Sequence, residues 1–388
     1  MTQAVRIFNR AGKALAAALI VTVVVTAIWQ FTASLGRDGT DPASIARATG
    51  SPVLIYSEFG PDSDTLWAIP ADNPAKRSRI AVVDHAREYG IVASLSPDGR
   101  KIALTVLPPT GDAAIDAPAE LWVMDVDGKN RRLLSVDVDL PVTPVWKPDS
   151  SAVVARRSEW QQSNPHFQLV QFDLKGGGKL LLDESAGLFP VGFTPDGSLY
   201  YTRLSNSGTD LGSIASNGAT ASVAHLSDDF ARDWHLSPDG TKLAYLTSRT
   251  SADRVSFGAT VLNLKGGDPQ MRIASVSTNV VDEFNPIWRP NSGELTVGRL
   301  QSNLAGDPAL RLSATGQTQL SALAPPSQGF DVPLMWSPDG GYLAVRSFEG
   351  DSATNPGRSW VTLVNGDERQ TVSSSSDIQI VGWMDSGG

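Results

Sequence analysis

The chain of 388 residues contains no cysteine. Disulfides, thiolate metal sites and cysteine nucleophiles are therefore excluded, although an exported protein can do without any of them. Histidine is scarce. His85, His166, His225 and His235 are widely spaced, and none has the paired spacing of a helical zinc site. No Gly-x-Ser-x-Gly elbow occurs, so the usual serine-hydrolase signature is missing. No acidic residue precedes Asp38. Beyond residue 36 the balance reverses, with 29 basic side chains against 41 acidic ones, a net charge of −12. Such a body repels phosphate backbones, which argues against nucleic acid as a partner.

Charge is also missing from "ALAAALIVTVVVTAIWQFTASL", residues 14–35. As a helix, these 22 residues would extend about 33 Å, enough to cross a bilayer core. Arg6, Arg10 and Lys13 precede them and place residues 1–13 in the cytoplasm, with the rest outside. Trp29 lies near the expected outer interface. A cleaved signal peptide is the competing reading, with Thr32 and Ser34 before the cut. The length of the stretch and the lack of Ala-x-Ala favour an uncleaved, single-pass anchor. Residues 36–51 lack apolar periodicity and read as a flexible linker.

The body, residues 52–386, is an array. "LSPDG" (95–99), "WKPDS" (146–150), "FTPDG" (193–197), "LSPDG" (236–240), "WRPNS" (288–292) and "WSPDG" (336–340) are copies of one corner. Their prolines are 51, 47, 43, 52 and 48 residues apart, a spacing suited to propeller blades. Proline presets φ, aspartate bonds its own backbone, and glycine accepts positive φ. Each corner leads into a strand such as "KIALTV" (101–106) and then a hairpin such as "LWVMDVDGKNRRLL" (121–134). Alternation and β-branched content make these antiparallel strands. Trp146, Phe193, Trp288 and Trp336 sit two residues before their corner prolines and are expected to separate neighbouring sheets, with Trp234 displaced by two positions.

The hairpin occurs seven times and the corner six. The first hairpin lacks an innermost strand, and "DIQIVGWMD" (377–385) supplies one from the other end of the chain. The expected fold is an all-β, seven-bladed β-propeller, one blade being shared by the two termini. Six blades is the alternative. Closure removes exposed sheet edges.

The "SPDG" corner followed by "LWVMDVDG" resembles the TolB-type, WD-like Pro-Asp-Gly repeat family, and is similar to the propeller domain of prolyl oligopeptidase-type proteins. The resemblance covers roughly residues 53–385. It implies a protein-binding propeller of the periplasm or cell surface, or an appendage to a hydrolase. It differs from TolB itself in showing no α/β domain ahead of the propeller, and in its anchor-like start.

Two chemistry-like motifs read as turns. "DVDGKN" (125–130) begins like a calcium loop but lacks the closing glutamate, and "KGGGK" (175–179) has no strand-to-helix context. No cofactor is indicated, and calcium is the one metal whose motif is approached. The candidate site is a set of carboxylates in the segments leading to each innermost strand. They are Asp84 and Glu88; Asp137 and Asp139; Asp183 and Glu184; Asp228 and Asp229, with Asp233; Asp282 and Glu283; Asp331; and Asp377. Equivalent blades would gather them around one channel mouth as a cation-attracting ring, diluted by Arg87 and Arg232. The expectation is a monomeric, non-catalytic scaffold for a protein or peptide of basic character. A hydrolase or lyase using ring carboxylates is the alternative. A glycan binder using exposed aromatics such as Trp160 is a weaker one.

Overall fold

The computed structural model describes residues 39–109, 117–161, 164–251, 254–265, 271–272, 280–301, 306–314, 318–373, 375 and 377–386. The expected span, 14–35, lies outside them, as does the side chain of Trp160. No described helix is long and apolar enough to cross a membrane.

Among the described residues, one helix, α1 (Pro42–Thr49), precedes the strands. In the first blade are β1 (Val53–Glu58), β2 (Ser63–Pro70) and β3 (Ser78–Asp84). The second holds β4 (Val92–Leu95), β5 (Lys101–Val106), β6 (Pro118–Asp125) and β7 (Arg132–Asp139). The third holds β8 (Val145–Trp146), β9 (Ala152–Gln161), β10 (Asn164–Asp173) and β11 (Gly178–Glu184). The fourth holds β12 (Gly187–Phe193), β13 (Leu199–Ser205), β14 (Gly208–Ile214) and β15 (Thr220–Ser227). The fifth holds β16 (Ala231–Leu236), β17 (Lys242–Ser251), β18 (Arg254–Asn263) and β19 (Met271–Arg272). Three described strands form the sixth: β20 (Val280–Trp288), β21 (Glu294–Gln301) and β22 (Leu310–Ser313). The seventh holds β23 (Phe330–Trp336), β24 (Leu343–Phe348), β25 (Ser359–Asn365) and β26 (Glu368–Ser373).

The last strand, β27 (Ile378–Met384), pairs antiparallel with β1, with Leu54 opposite Trp383 and Glu58 opposite Ile378. The sheet order β27-β1-β2-β3 closes the ring, so there are seven sheets. The six-bladed alternative is excluded, because both residues 53–80 and the C-terminal strand belong to one blade.

The core has the same sevenfold division. Each hydrophobic cluster lies between two neighbouring blades, such as Leu188, Leu199 and Tyr201 of blade 4 against Val154 and Leu169 of blade 3. The aromatics before the corners are those spacers. Trp146, Trp288 and Trp336 are buried. Their indole N–H groups donate to the preceding blade: Trp146 to the Ser94 carbonyl at 3.2 Å, Trp288 to the His235 carbonyl at 2.9 Å, and Trp336 to the Thr296 hydroxyl at 3.0 Å. The indole thus fills the wedge between sheets and satisfies its one donor there.

The corners turn as their sequence dictates. In "LSPDG" (236–240), the Ser237 hydroxyl donates to Asp239 Oδ1 at 2.6 Å, and that oxygen accepts the Thr241 N–H at 3.0 Å. Gly240 has φ +67°, and a Cβ there would meet the Thr194 side chain at 2.7 Å. Ser150 and Ser292 replace this glycine in two corners and still adopt φ +57° and +56°. Each hydroxyl accepts the aspartate N–H of the preceding blade's corner: Ser150 from Asp98 at 3.1 Å, and Ser292 from Asp239 at 3.0 Å. Some left-handed strain is exchanged for a link between blades.

The segment expected to be a linker, 36–51, contains α1. Asp41 caps it by accepting the Ala43 N–H at 3.0 Å, Pro42 opens it, and Gly50 ends it in the left-handed region. A short helix buries too few residues to show apolar periodicity. Ala46 nevertheless packs among Val53, Leu66 and Ala68 of blade 1.

The ring has two faces. One bears the corners and the hairpin turns between each third and fourth strand; we call it the corner face. The other bears the carboxylate-carrying connections, and is the connection face.

Candidate functional site

The strands place all the candidate carboxylates on the connection face, but in three different states. Asp84, Glu88, Asp228 and Asp229 are exposed. Glu88 lies 3.9 Å from Arg87, Asp228 accepts from His225 at 3.1 Å, and Asp229 accepts from the Ser248 hydroxyl at 3.4 Å.

A second group is paired with bases near the rim. Asp139 bonds Arg156 and the Ser158 hydroxyl, the latter at 2.7 Å. Asp137 accepts from Arg157 at 2.8 Å. Asp183 accepts from Gln168 at 3.0 Å and lies 3.2 Å from His166 Nδ1, and Glu184 accepts from Arg203 at 3.3 Å. Asp233 lies 3.6 Å from Arg232. The charge of Asp377 partly offsets the burial that lowers the pKa of Arg346.

A third group is internal. Glu283 is 0 % exposed, accepting from Arg299 at 2.7 Å and from the Ala259 N–H at 2.7 Å. Asp282 is buried beside it and accepts the Phe257 N–H at 3.3 Å. Asp331 is 1 % exposed, held by Arg369 at 2.7 and 3.0 Å and by the Ser347 hydroxyl at 2.7 Å. These three carboxylates tie strands together and present little charge to a visitor.

Sequence reasoning missed the cations that meet these groups. Arg156, Arg203, Arg299 and Arg346 stand on the second strand of blades 3, 4, 6 and 7. They follow their corner prolines by 8, 8, 9 and 8 residues, a spacing that was available to be read.

The groove beside blade 4 is concave, running from Thr220 near the corner face to Glu184 and Arg203 near the connection face. A cavity of about 190 Å³ opens between blades 3 and 4, lined by Glu184, Tyr201, Arg203, Asp210, Gly212 and Ser222 among others. Gly212 is required there, because a Cβ would come within 2.4 Å of the Tyr201 ring. Arg203 lies between Glu184, at 3.3 Å, and Asp210, at 3.5 Å. His225 bridges Asp210, at 2.7 Å, and Asp228, at 3.1 Å. The bond to Asp210 is the main cause of a raised pKa at His225; burial opposes it, and the bond to Asp228 and the charges of both aspartates add to the rise. Burial raises that of Tyr201, reinforced by Glu184. An open recess formed by Ser185, Ala186, Leu204, Ser205 and Asn206 adjoins the cavity along the chain. Three carboxylates thus surround one guanidinium and one imidazole.

Among the described residues, no three His, Asp or Glu side chains are grouped to hold a metal ion. In "DVDGKN", Asp125 is engaged by Lys101 at 2.7 Å and Asn130 at 2.5 Å, and Asp127 by Lys129 at 2.8 Å. This segment is the turn between β6 and β7.

Structures of known proteins share the architecture. A prolyl endopeptidase superposes with a TM-score of 0.56 at 12% identity, over 87% of this chain and 52% of its own. An oligogalacturonate lyase from Vibrio parahaemolyticus gives 0.54 at 11%, over 81% and 91%. TolB from Acinetobacter baumannii gives 0.49 at 17%, over 72% and 64%. The likeness is one of fold. This chain spans about half of the endopeptidase and less than two thirds of that TolB chain. No family model and no curated protein matches the sequence. The fold expected from the TolB-type, prolyl oligopeptidase-like repeat is the fold found.

Proposed function

We propose that this chain is a membrane-tethered, extracytoplasmic propeller that captures a protein or peptide, the cleft between blades 3 and 4 accepting a basic side chain. The observation behind this is the composition of that cleft. Of the residues lining the cavity of about 190 Å³, the carboxylates Glu184 and Asp210 outnumber the one cation, Arg203, and His225 links Asp210 to the exposed Asp228 outside it. A lysine or arginine entering it would find carboxylate oxygens and the Ser222 and Tyr201 side chains, in a partly dry setting where charge-assisted bonds are strong. The exposed Asp228 and Asp229 add long-range attraction, which accelerates encounter and is screened by salt. The tether rests on the uncharged stretch 14–35 and the three cations before it. The ring supplies a rigid platform for variable connections, which is what a scaffold needs.

Crosslinking in intact cells followed by mass spectrometry identifies the partner. Asp210→Asn should then weaken capture about tenfold, as expected for one charged hydrogen bond, and the loss should be reproduced when the partner's basic residue is replaced by glutamine. Capture that is indifferent to Asp210→Asn and to salt would overturn this reading.

A further inference from the structure

From the way α1 is docked, we infer that the propeller sits with its corner face toward the bilayer and its connection face away from it. The inference rests on the reading of residues 14–35 as a membrane span.

The geometry starts at Gly39. A Cβ there would lie 2.7 Å from the Asp127 carbonyl, in the β6–β7 turn of blade 2. The Thr40 N–H donates to the Arg79 carbonyl at 3.2 Å, at the corner-face start of β3. Helix α1 follows, sealed by Ala46 in the core between blades 1 and 2 and closed by the Gly50 N–H on the Ala46 carbonyl at 2.8 Å. The chain then enters β1 at Val53, again from the corner face. These attachments of the segment are therefore all on one side of the ring.

The expected span ends at Leu35. Four residue steps separate it from Gly39, a reach of about 14 Å when fully extended. A strand of seven residues such as β14 separates the two faces by roughly 20 Å. A tether that short, leaving from the corner face, does not let the connection face swing down to the lipid. The bilayer is thus the neighbour of the corner face, and the carboxylates and the blade 3–4 cleft are presented outward to a soluble or opposing partner.

The absence of cysteine makes the test direct. In the full-length chain, Ser216→Cys labels the corner-face turn of blade 4 and Ser207→Cys labels the connection-face hairpin of the same blade. Each single variant is given a donor dye and reconstituted in phosphatidylcholine vesicles carrying an acceptor on the lipid headgroup. Energy transfer should place position 216 nearer the lipid than position 207 by roughly the length of the strand between them, about 20 Å. Inserting a Gly-Ser linker of about 20 residues after Asp38, with an end-to-end distance of roughly 25 Å, should abolish the difference while the chain still floats with vesicles. Flotation with equal or reversed distances would overturn the orientation and leave the anchor reading standing. A full-length chain that does not float with vesicles would overturn both.

Discussion

Nε2 of His85 lies 3.0 Å from Oδ1 of Asp64, with both side chains shut off from solvent. His85 Nδ1 meets the Ala86 carbonyl at 2.8 Å, so both ring nitrogens face acceptors, and the protonated ring can donate to both. Phe59 stacks on the ring at 5.7 Å. Asp64 also receives the Ile91 N–H at 3.0 Å, which ties the start of blade 2 to blade 1.

Burial lowers the pKa of His85, but the Asp64 hydrogen bond, the Ala86 carbonyl and the Asp64 charge together outweigh it and raise the value above the ordinary one. A histidine raised by folding adds stability that is complete below its unfolded pKa and is lost as pH rises through the folded value. Urea unfolding of the chain should therefore show stability declining as pH rises from the ordinary histidine value through the raised one. Asp64→Asn should flatten that slope and cost about 3–5 kcal/mol, the range for breaking a buried pair. A decline over that range that persists in Asp64→Asn would assign it to another group.

His235 behaves in the opposite way. Its Nε2 lies 2.9 Å from Asn285 Oδ1, and Asn285 Nδ2 donates to the Pro333 carbonyl at 2.6 Å. Because the amide nitrogen is spent on Pro333, the amide oxygen accepts and His235 donates. Three innermost strands, β16, β20 and β23, are joined by this chain of bonds, with Asn285 held at φ +36°. Burial lowers the pKa of His235, opposed by the Asp233 charge and the Asn285 bond. Charging it therefore costs stability as pH falls from the ordinary histidine value toward the lowered one. His235→Gln keeps a donor and removes the titration. Thermal unfolding of the variant should lose less stability than the parent between about pH 7 and 5, and parallel pH profiles would exclude His235 as the source.

The repeat was legible because each corner carries its own chemistry. Pro338, Asp339 and Gly340 say "turn" wherever they stand, and the corner missing before β1 led to Trp383 in β27. Helix α1 was also written locally, in the Asp41 cap, Pro42 and Gly50, but eight residues are too few for a periodic signal. The candidate site was less legible because exposure is a tertiary property. Asp229 and Glu283 occupy comparable places ahead of their innermost strands, yet one is exposed and the other is sealed. Nothing beside Glu283 in sequence tells of Arg299, which is sixteen residues away and arrives through the β20–β21 pairing. The blade 3–4 cleft was invisible for the same reason: Glu184 and Asp210 belong to different blades.

That distinction separates two sets of carboxylate variants. Glu283→Gln leaves the Arg299 guanidinium, 5% exposed, beside a neutral amide in a dry site. Such a loss typically costs about 3–5 kcal/mol, so the variant should unfold at markedly lower urea. Arg299→Met combined with Glu283→Gln removes the stranded charge as well and should recover part of the loss, since an apolar replacement of a buried pair is often near neutral. Asp228→Asn and Asp229→Asn change exposed groups and should shift stability by no more than about 0.5 kcal/mol. If the connection face attracts a basic partner, these two variants should weaken its capture with folding intact, most clearly at low salt. Glu283→Gln that unfolds like the parent would mean that Arg299 is satisfied by other groups, and that the internal carboxylates are not what binds blade 5 to blade 6.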